Sequence, residues 1–147
     1  MYQRLLLATD HSSLSRKAEK SAIAVAAATG ASLVVLHVVP DYPMSYFEGA
    51  ATLSPDEIAR IEAAWMRKGQ RVIDDVVAAA AKQEVVAEGM LAHADHVAQA
   101  VIAAARKKKC DLIVMASHGR RGLTRVLLGS ETQHVLTHST IPVLVLR

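Results

Sequence analysis

The sequence predicts an α/β protein, an open parallel sheet with helices on both faces, and two observations carry that prediction. Short and nearly unbroken apolar runs recur at residues 5–8, 33–39 (interrupted by His37), 112–116 and 143–146, as strands covered on both faces require. Between them lie stretches whose apolar residues return every three or four positions, the helical period. With one weaker strand added, the order reads β-α-β-α-β-α-β-α-β, and such alternation implies parallel strands joined by right-handed crossovers.

Each element has its own signal. The first strand runs out into Thr9 and Asp10; Leu14, Ala18, Ala22 and Val25 then recur at helical spacing behind Ser12 and Ser13, and Gly30 is a stop. A long connection over residues 40–53 follows the second strand, where Tyr42, Tyr46 and Phe47 suit a lid, a dimer contact or local packing. The second helix opens on Ser54, Pro55, Asp56 and Glu57: a capping residue, a proline suited to the first turn, and acids that complement the dipole. Its apolar stripe, Ile58, Ile61, Trp65, Val72, Ile73, Val76 and Ala80, continues past Gly69 to about Lys82. The weaker strand, residues 85–91, carries Glu88 and Gly89 and reads as an edge. The third helix runs from about Asp95 to Lys108 with Val97, Val101 and Ala104 inward, and Arg106, Lys107, Lys108 and Lys109 gather at its negative end. The fourth is short, from Ser130 to about Thr137. The last strand, Val143–Leu146, is an unusually apolar edge, and edges are normally covered. A second copy of the chain covers it in the expected homodimer; a terminus that folds back or frays is the alternative.

At 147 residues and 52% apolar content the chain supports one domain spanning residues 1–147. Cys110 is the sole cysteine, so no internal disulfide forms, and a reducing, cytoplasmic location is expected. The apolar stretch behind Met1 is too short for a signal peptide, and no segment approaches the roughly twenty residues of a membrane helix. A net charge of +3 suits anionic ligands. Nucleic acid is not an expected partner, because aromatic residues make up only 3% of the chain and stacking platforms need them.

Open parallel sheets bind ligands beyond the carboxyl ends of their strands, where the winding reverses. With strands ordered 3-2-1-4-5 that crevice lies between strands one and four, where Thr9-Asp10 and Ser117-His118-Gly119 fall. The segment Ala116-Ser117-His118-Gly119-Arg120-Arg121-Gly122 leads through Leu128 to Gly129-Ser130 and the last helix. Glycines let backbone approach a ligand closely or take positive φ, and free amides at a helix start donate to anions. Ser130 and Gln133 have capping-box spacing, so capping and phosphate contact are both open to Ser130. Arg120, Arg121 and Arg125 either add positive charge to the site or sit solvated on the surface. Neither the Lys-Ser/Thr ending of a Walker loop nor the dinucleotide-binding glycine triplet is present.

Over essentially its full length the chain resembles a universal stress protein. Nucleotide-binding members carry a glycine, two residues, a second glycine, nine residues, then Gly-Ser or Gly-Thr; here Gly119, residues 120–128 and Gly129-Ser130 match in register, whereas the first position is Ala116. Leu5-Leu7-Ala8-Thr9-Asp10, Leu36-His37-Val38 and Ile141-Pro142-Val143-Leu144-Val145 are also similar to family segments. The resemblance implies the 3-2-1-4-5 order of a Rossmann-like sheet, dimerisation through the last strand, and ATP as ligand. It places Ala8, Thr9, Asp10 and Val38 around adenine and ribose, and Gly119, Gly129, Ser130, Glu131 and Thr132 at the phosphates, with Met115, Ala116, Ser117, His118 and Arg120 completing the ATP-binding set. If Ala116 needs positive φ, its Cβ costs roughly 1–2 kcal/mol, about tenfold in affinity; in extended backbone the methyl is tolerated.

Asp10 has three available roles: a hydrogen bond to ribose, a share in holding Mg2+, or a cap on the first helix. Its place at the crevice favours the ligand. His118 reads as a solvent-facing turn residue. His93 and His96 around Asp95, and His134 with His138, have metal-compatible spacings without further ligands or an enclosing shell. No nucleophile elbow or triad can be assembled. Three functions therefore compete: a nucleotide-dependent stress or signalling module, a slow ATP hydrolase using the same pocket, and a nucleotide-free interaction protein.

Overall fold

The computed structural model describes residues 1–41, 53–119 and 128–147. Strand and helix alternate through them: β1 (Arg4–Ala8), α1 (Ser13–Thr29), β2 (Ser32–Val39), α2 (Pro55–Ala81), β3 (Ala87–His93), α3 (Val97–Lys107), β4 (Leu112–Ala116), α4 (Ser130–His138) and β5 (Val143–Leu146). Every strand pairing is parallel, and the order is β3-β2-β1-β4-β5. Both the fold class and the order match the expectation.

The unbroken apolar runs follow from burial on two sides. Successive side chains of a strand point to opposite faces, so Leu5 and Leu7 join Leu33, Val35, Leu112 and Val114 beneath α1 and α2. Leu6 joins Val34, Leu36, Ile113 and Met115 beneath α3 and α4. Ala18, Ala22 and Ala26 of α1 are fully buried, and their small side chains let the helix lie close to the sheet. The first half of α2 contains no fully buried residue; its buried positions are Gly69, Val72, Ile73, Val76 and Ala80. No helix among the described residues is long and apolar enough to cross a membrane.

Two glycines bring α2 down onto the β2–β3 edge. A Cβ on Gly89 would stand 2.2 Å from Ile73 Cγ2, and one on Gly69 would stand 2.6 Å from His37 Cδ2. Gly89 thus marks a close approach on a strand that is also an edge, as its sequence suggested.

Helix ends follow local chemistry. Ser54 and Glu57 form a reciprocal capping box: Ser54 N–H donates to Glu57 Oε2 at 2.6 Å, and Glu57 N–H donates to Ser54 Oγ at 3.3 Å. These bonds hold the Glu57 carboxyl below its usual range. Gly30 closes α1 at φ 71°, the left-handed position that favours glycine. Two expected boundaries shift. β3 begins at Ala87 and extends to His93, because β2 pairs with it from Leu33 through Val39; Val85 is instead tied to the end of α2 through Ala80 O. α3 starts at Val97 after His96, not at Asp95. α4 starts at Ser130 as expected, but Gly129 is its N-cap, so Ser130 does not cap the helix. Burial pushes the Cys110 thiol up to about 11, which leaves it protonated and unreactive at neutral pH.

A hydrogen bond from Thr132 Oγ1 to Ala116 O, 2.9 Å, fixes α4 on the end of β4. Thr132→Val keeps the shape but leaves a buried carbonyl without its donor. Urea denaturation should show a loss of about 1–3 kcal/mol, with Thr132→Ser losing less. Gly89→Ala should cost about 1–3 kcal/mol through overpacking. Combined with Ile73→Ala its cost should shrink, and strict additivity in that cycle would exonerate Ile73.

Candidate functional site

The winding of the sheet reverses between β1 and β4: the chain leaves β1 for α1 on one face and reaches α4 on the other after β4. Their carboxyl ends therefore diverge around a crevice. Asp10 and Gly119 meet across it, so closely that a Cβ on Gly119 would stand 3.0 Å from Asp10 Oδ2. The other carboxylate oxygen, Oδ1, accepts from Ser12 N–H at 3.0 Å and from the Ser15 hydroxyl at 2.5 Å. Ser12 itself caps α1, accepting from Ser15 N–H. Asp10 braces the cap with one oxygen and turns the other towards Gly119.

On the β4 side, Ala116 pairs with Leu146 as the last strand residue. Positive φ at non-glycine residues occurs, among the described residues, at His11, Glu84 and Lys109 alone. The methyl of Ala116 thus sits in extended backbone, and the conformational penalty considered for it does not arise. Ser117 is buried; its N–H donates to Leu146 O and its carbonyl accepts from Gly129 N–H, both at 2.8 Å. That second bond draws Gly129 back to the place where the chain left β4. Gly129 has φ −58°, which any residue adopts, but a Cβ there would lie 3.1 Å from Ser117 O and 3.5 Å from His118 Cα. Its lack of a side chain serves proximity. His118 is half-buried, with Nδ1 3.0 Å from Ser117 Oγ, so it is not the freely solvated residue expected.

The start of α4 carries no side-chain cap, which leaves its first-turn amides and positive dipole end to other partners. Side chains next to it are already engaged. Glu131 Oε2 accepts from Ala98 N–H at 2.6 Å, capping α3, whose own N-cap residue His96 makes no side-chain cap bond. Thr132 is committed to Ala116 O. Ser130 is exposed. At this end the first-turn backbone amides have no side-chain cap.

Thr9 is buried and turned the other way, its hydroxyl donating to Glu19 Oε1 at 2.5 Å. Its backbone bonds Leu36 O and His37 Nδ1–H. Ala8 and Val38 are half-buried on the α3–α4 side of the sheet, where Met115 is buried. Arg120, with Arg121, Gly122 and Arg125, lies outside the described residues, as do Tyr42, Tyr46 and Phe47. The sequence reading missed Glu19 and His11, which bond each other and brace Thr9. No motif advertises a glutamate inside an alanine-rich helix; its position in the Ala18–Ala22 buried stripe was the available signal.

Elsewhere, His93 Nε2 lies 2.8 Å from Asp41 Oδ1, and a hydrogen bond with Asp41 raises the Asp95 carboxyl above its usual range. His134 and His138 stack with centroids 4.1 Å apart. Among the described residues no group of three or more His, Cys, Asp or Glu is arranged to hold a metal ion. In the basic run, Lys108 pairs with Glu88 at 2.8 Å.

The family model described as "Universal stress protein family" matches residues 1–147. The universal stress protein YxiE of Bacillus subtilis is 31% identical over 149 residues, covering all of both chains. The solved universal stress protein UspA from Lactobacillus plantarum superposes with a TM-score of 0.84 at 22% identity, covering 99% of this chain and 98% of its own. A universal stress protein determined in complex with cAMP has a TM-score of 0.64 at 26% identity, over 99% and 97% of the two chains. With the full-length family match and these relatives in agreement, the chain belongs to the universal stress protein family.

Proposed function

We propose that this protein binds ATP in the crevice between β1 and β4 and acts as a nucleotide-dependent stress-response or signalling module in the cytoplasm. The observation that carries the reading is the meeting of Asp10 with Gly119 beside the uncapped start of α4. The adenine-nucleotide ligand of the 26%-identical relative supports the same class of molecule.

The residues fit such a ligand. Gly119 and Gly129 admit the close approaches of Asp10 and Ser117, and the amides of Gly119, Ser130, Glu131 and Thr132 supply phosphate donors in the manner of a helix-start anion site. Half-buried Ala8 and Val38 offer apolar contact to adenine. Asp10 Oδ2 serves the ribose hydroxyls or a phosphate-bound Mg2+. Ser117, His118 and, from the sequence pattern, Arg120 border the phosphates. Asp10, His118 and Glu131 are all engaged with neighbours, and none is set up as a general base for water. Retention without rapid turnover is the expected behaviour.

We also assign the edge of β5, with Leu144 exposed, to pairing with a second copy. Sedimentation at micromolar concentration should show a dimer, and a monomer alone would refute the pairing.

The deciding experiment denatures purified protein, identifies any released small molecule, and follows added ATP over hours. About one unchanged ATP per chain is expected. Steady conversion to ADP would make the protein a slow hydrolase, and absence of binding and turnover together would overturn the nucleotide reading. Ala116→Gly should change affinity by less than about threefold, because extended backbone does not strain the methyl; a gain of about tenfold would show that the methyl obstructs the ligand.

A further inference from the structure

Glu19 is the one charged side chain that is buried among the described residues, 8% exposed. A carboxylate in that position is costly unless fully bonded, and the helix around it buries only small or apolar neighbours, Ala18, Ala22, Ile23 and Ala26, apart from Ser15. The turn beside it carries a second cost: His11 sits at φ 60°, the left-handed region that a residue with a Cβ resists. Strain of this kind persists only where its surroundings enforce it.

The bonds that enforce it form a closed ring. Glu19 Oε1 accepts from the Thr9 hydroxyl at 2.5 Å and from His11 Nδ1–H at 3.1 Å, while His11 N–H donates to Thr9 Oγ1 at 3.0 Å. His11 is thereby held by both its ring and its backbone. Asp10 lies between the two braced residues, with Oδ1 on Ser12 N–H and Ser15 Oγ and Oδ2 towards Gly119.

We infer that Glu19 is a positioning residue for the crevice: through Thr9 and His11 it maintains the left-handed turn that aims Asp10 at a bound nucleotide. It touches no ligand and acts from the α1 side of the sheet. The ligand part of this inference rests on the nucleotide reading given above, whereas the turn part does not.

The test compares wild type with Glu19→Ala, Glu19→Gln and the double variant Glu19→Ala/His11→Gly. ATP affinity is measured by calorimetry, and amide hydrogen exchange without nucleotide is measured at His11 and Ser12, whose N–H groups report the turn. Glu19→Ala should weaken ATP about tenfold and speed exchange at those two amides about tenfold, with β4 amides unchanged. Glu19→Gln keeps an acceptor oxygen and should stay within about threefold of wild type in affinity. Glycine accepts positive φ without strain, so the double variant should regain much of the lost affinity. A purely packing role predicts no such rescue. Wild-type exchange at His11 and Ser12 in a folded Glu19→Ala protein would overturn the inference. If wild type binds no ATP, while Glu19→Ala still loosens the turn, the nucleotide reading fails and the positioning of Asp10 by Glu19 stands.

Discussion

A strand buried on both faces must be covered twice, and this constraint organises the whole molecule. β1 and β4 lie at the centre of the sheet with their apolar side chains split between two cores. Right-handed crossovers satisfy both cores only if the chain winds one way through β1, α1, β2 and α2 and the other way after β3. The reversal leaves two neighbouring strand ends whose chains part, and loop residues with unlike chemistry, Asp10 and Gly119, are brought into contact there. The crevice is a by-product of covering the sheet.

Glycine in this protein mostly buys distance. Gly69 seats α2 on His37, Gly89 receives Ile73 of α2, Gly119 admits Asp10, and Gly129 lets the chain return to Ser117. Among the described glycines only Gly30 takes positive φ. The same distinction explains why alanine is accommodated at position 116: that residue ends a strand, paired with Leu146, where extended backbone places no demand for glycine.

Around the crevice the polar side chains serve architecture. Thr132 ties α4 to β4, Glu131 supplies the cap that α3 lacks, Ser117 closes the base of the intervening segment through its carbonyl, and Thr9 is held by Glu19. Each of these bonds satisfies a group that would otherwise be buried at a cost.

Periodicity determined the elements of this protein. Apolar runs and helical stripes are local signals, and so are the Ser54–Glu57 capping box and the Gly30 stop, all complete within a few residues. The strand order and the family were legible through the spacing of Gly119 and Gly129-Ser130 and the flanking segments. Tertiary structure decided what depends on a partner distant in sequence. Pairing with β2 as far as Val39 carried β3 on to His93, and the bond between Gly129 and Ser117 accompanies Gly129, instead of Ser130, as the N-cap of α4. The Glu131 carboxylate went to Ala98 N–H, 33 residues away. The segment from Ala116 to Ser130 carries its glycine spacing in the sequence. Whether Ala116 is strained and which side chains are already spent emerge only when β1, β4 and β5 lie side by side, because hydrogen bonds and close contacts depend on position in space.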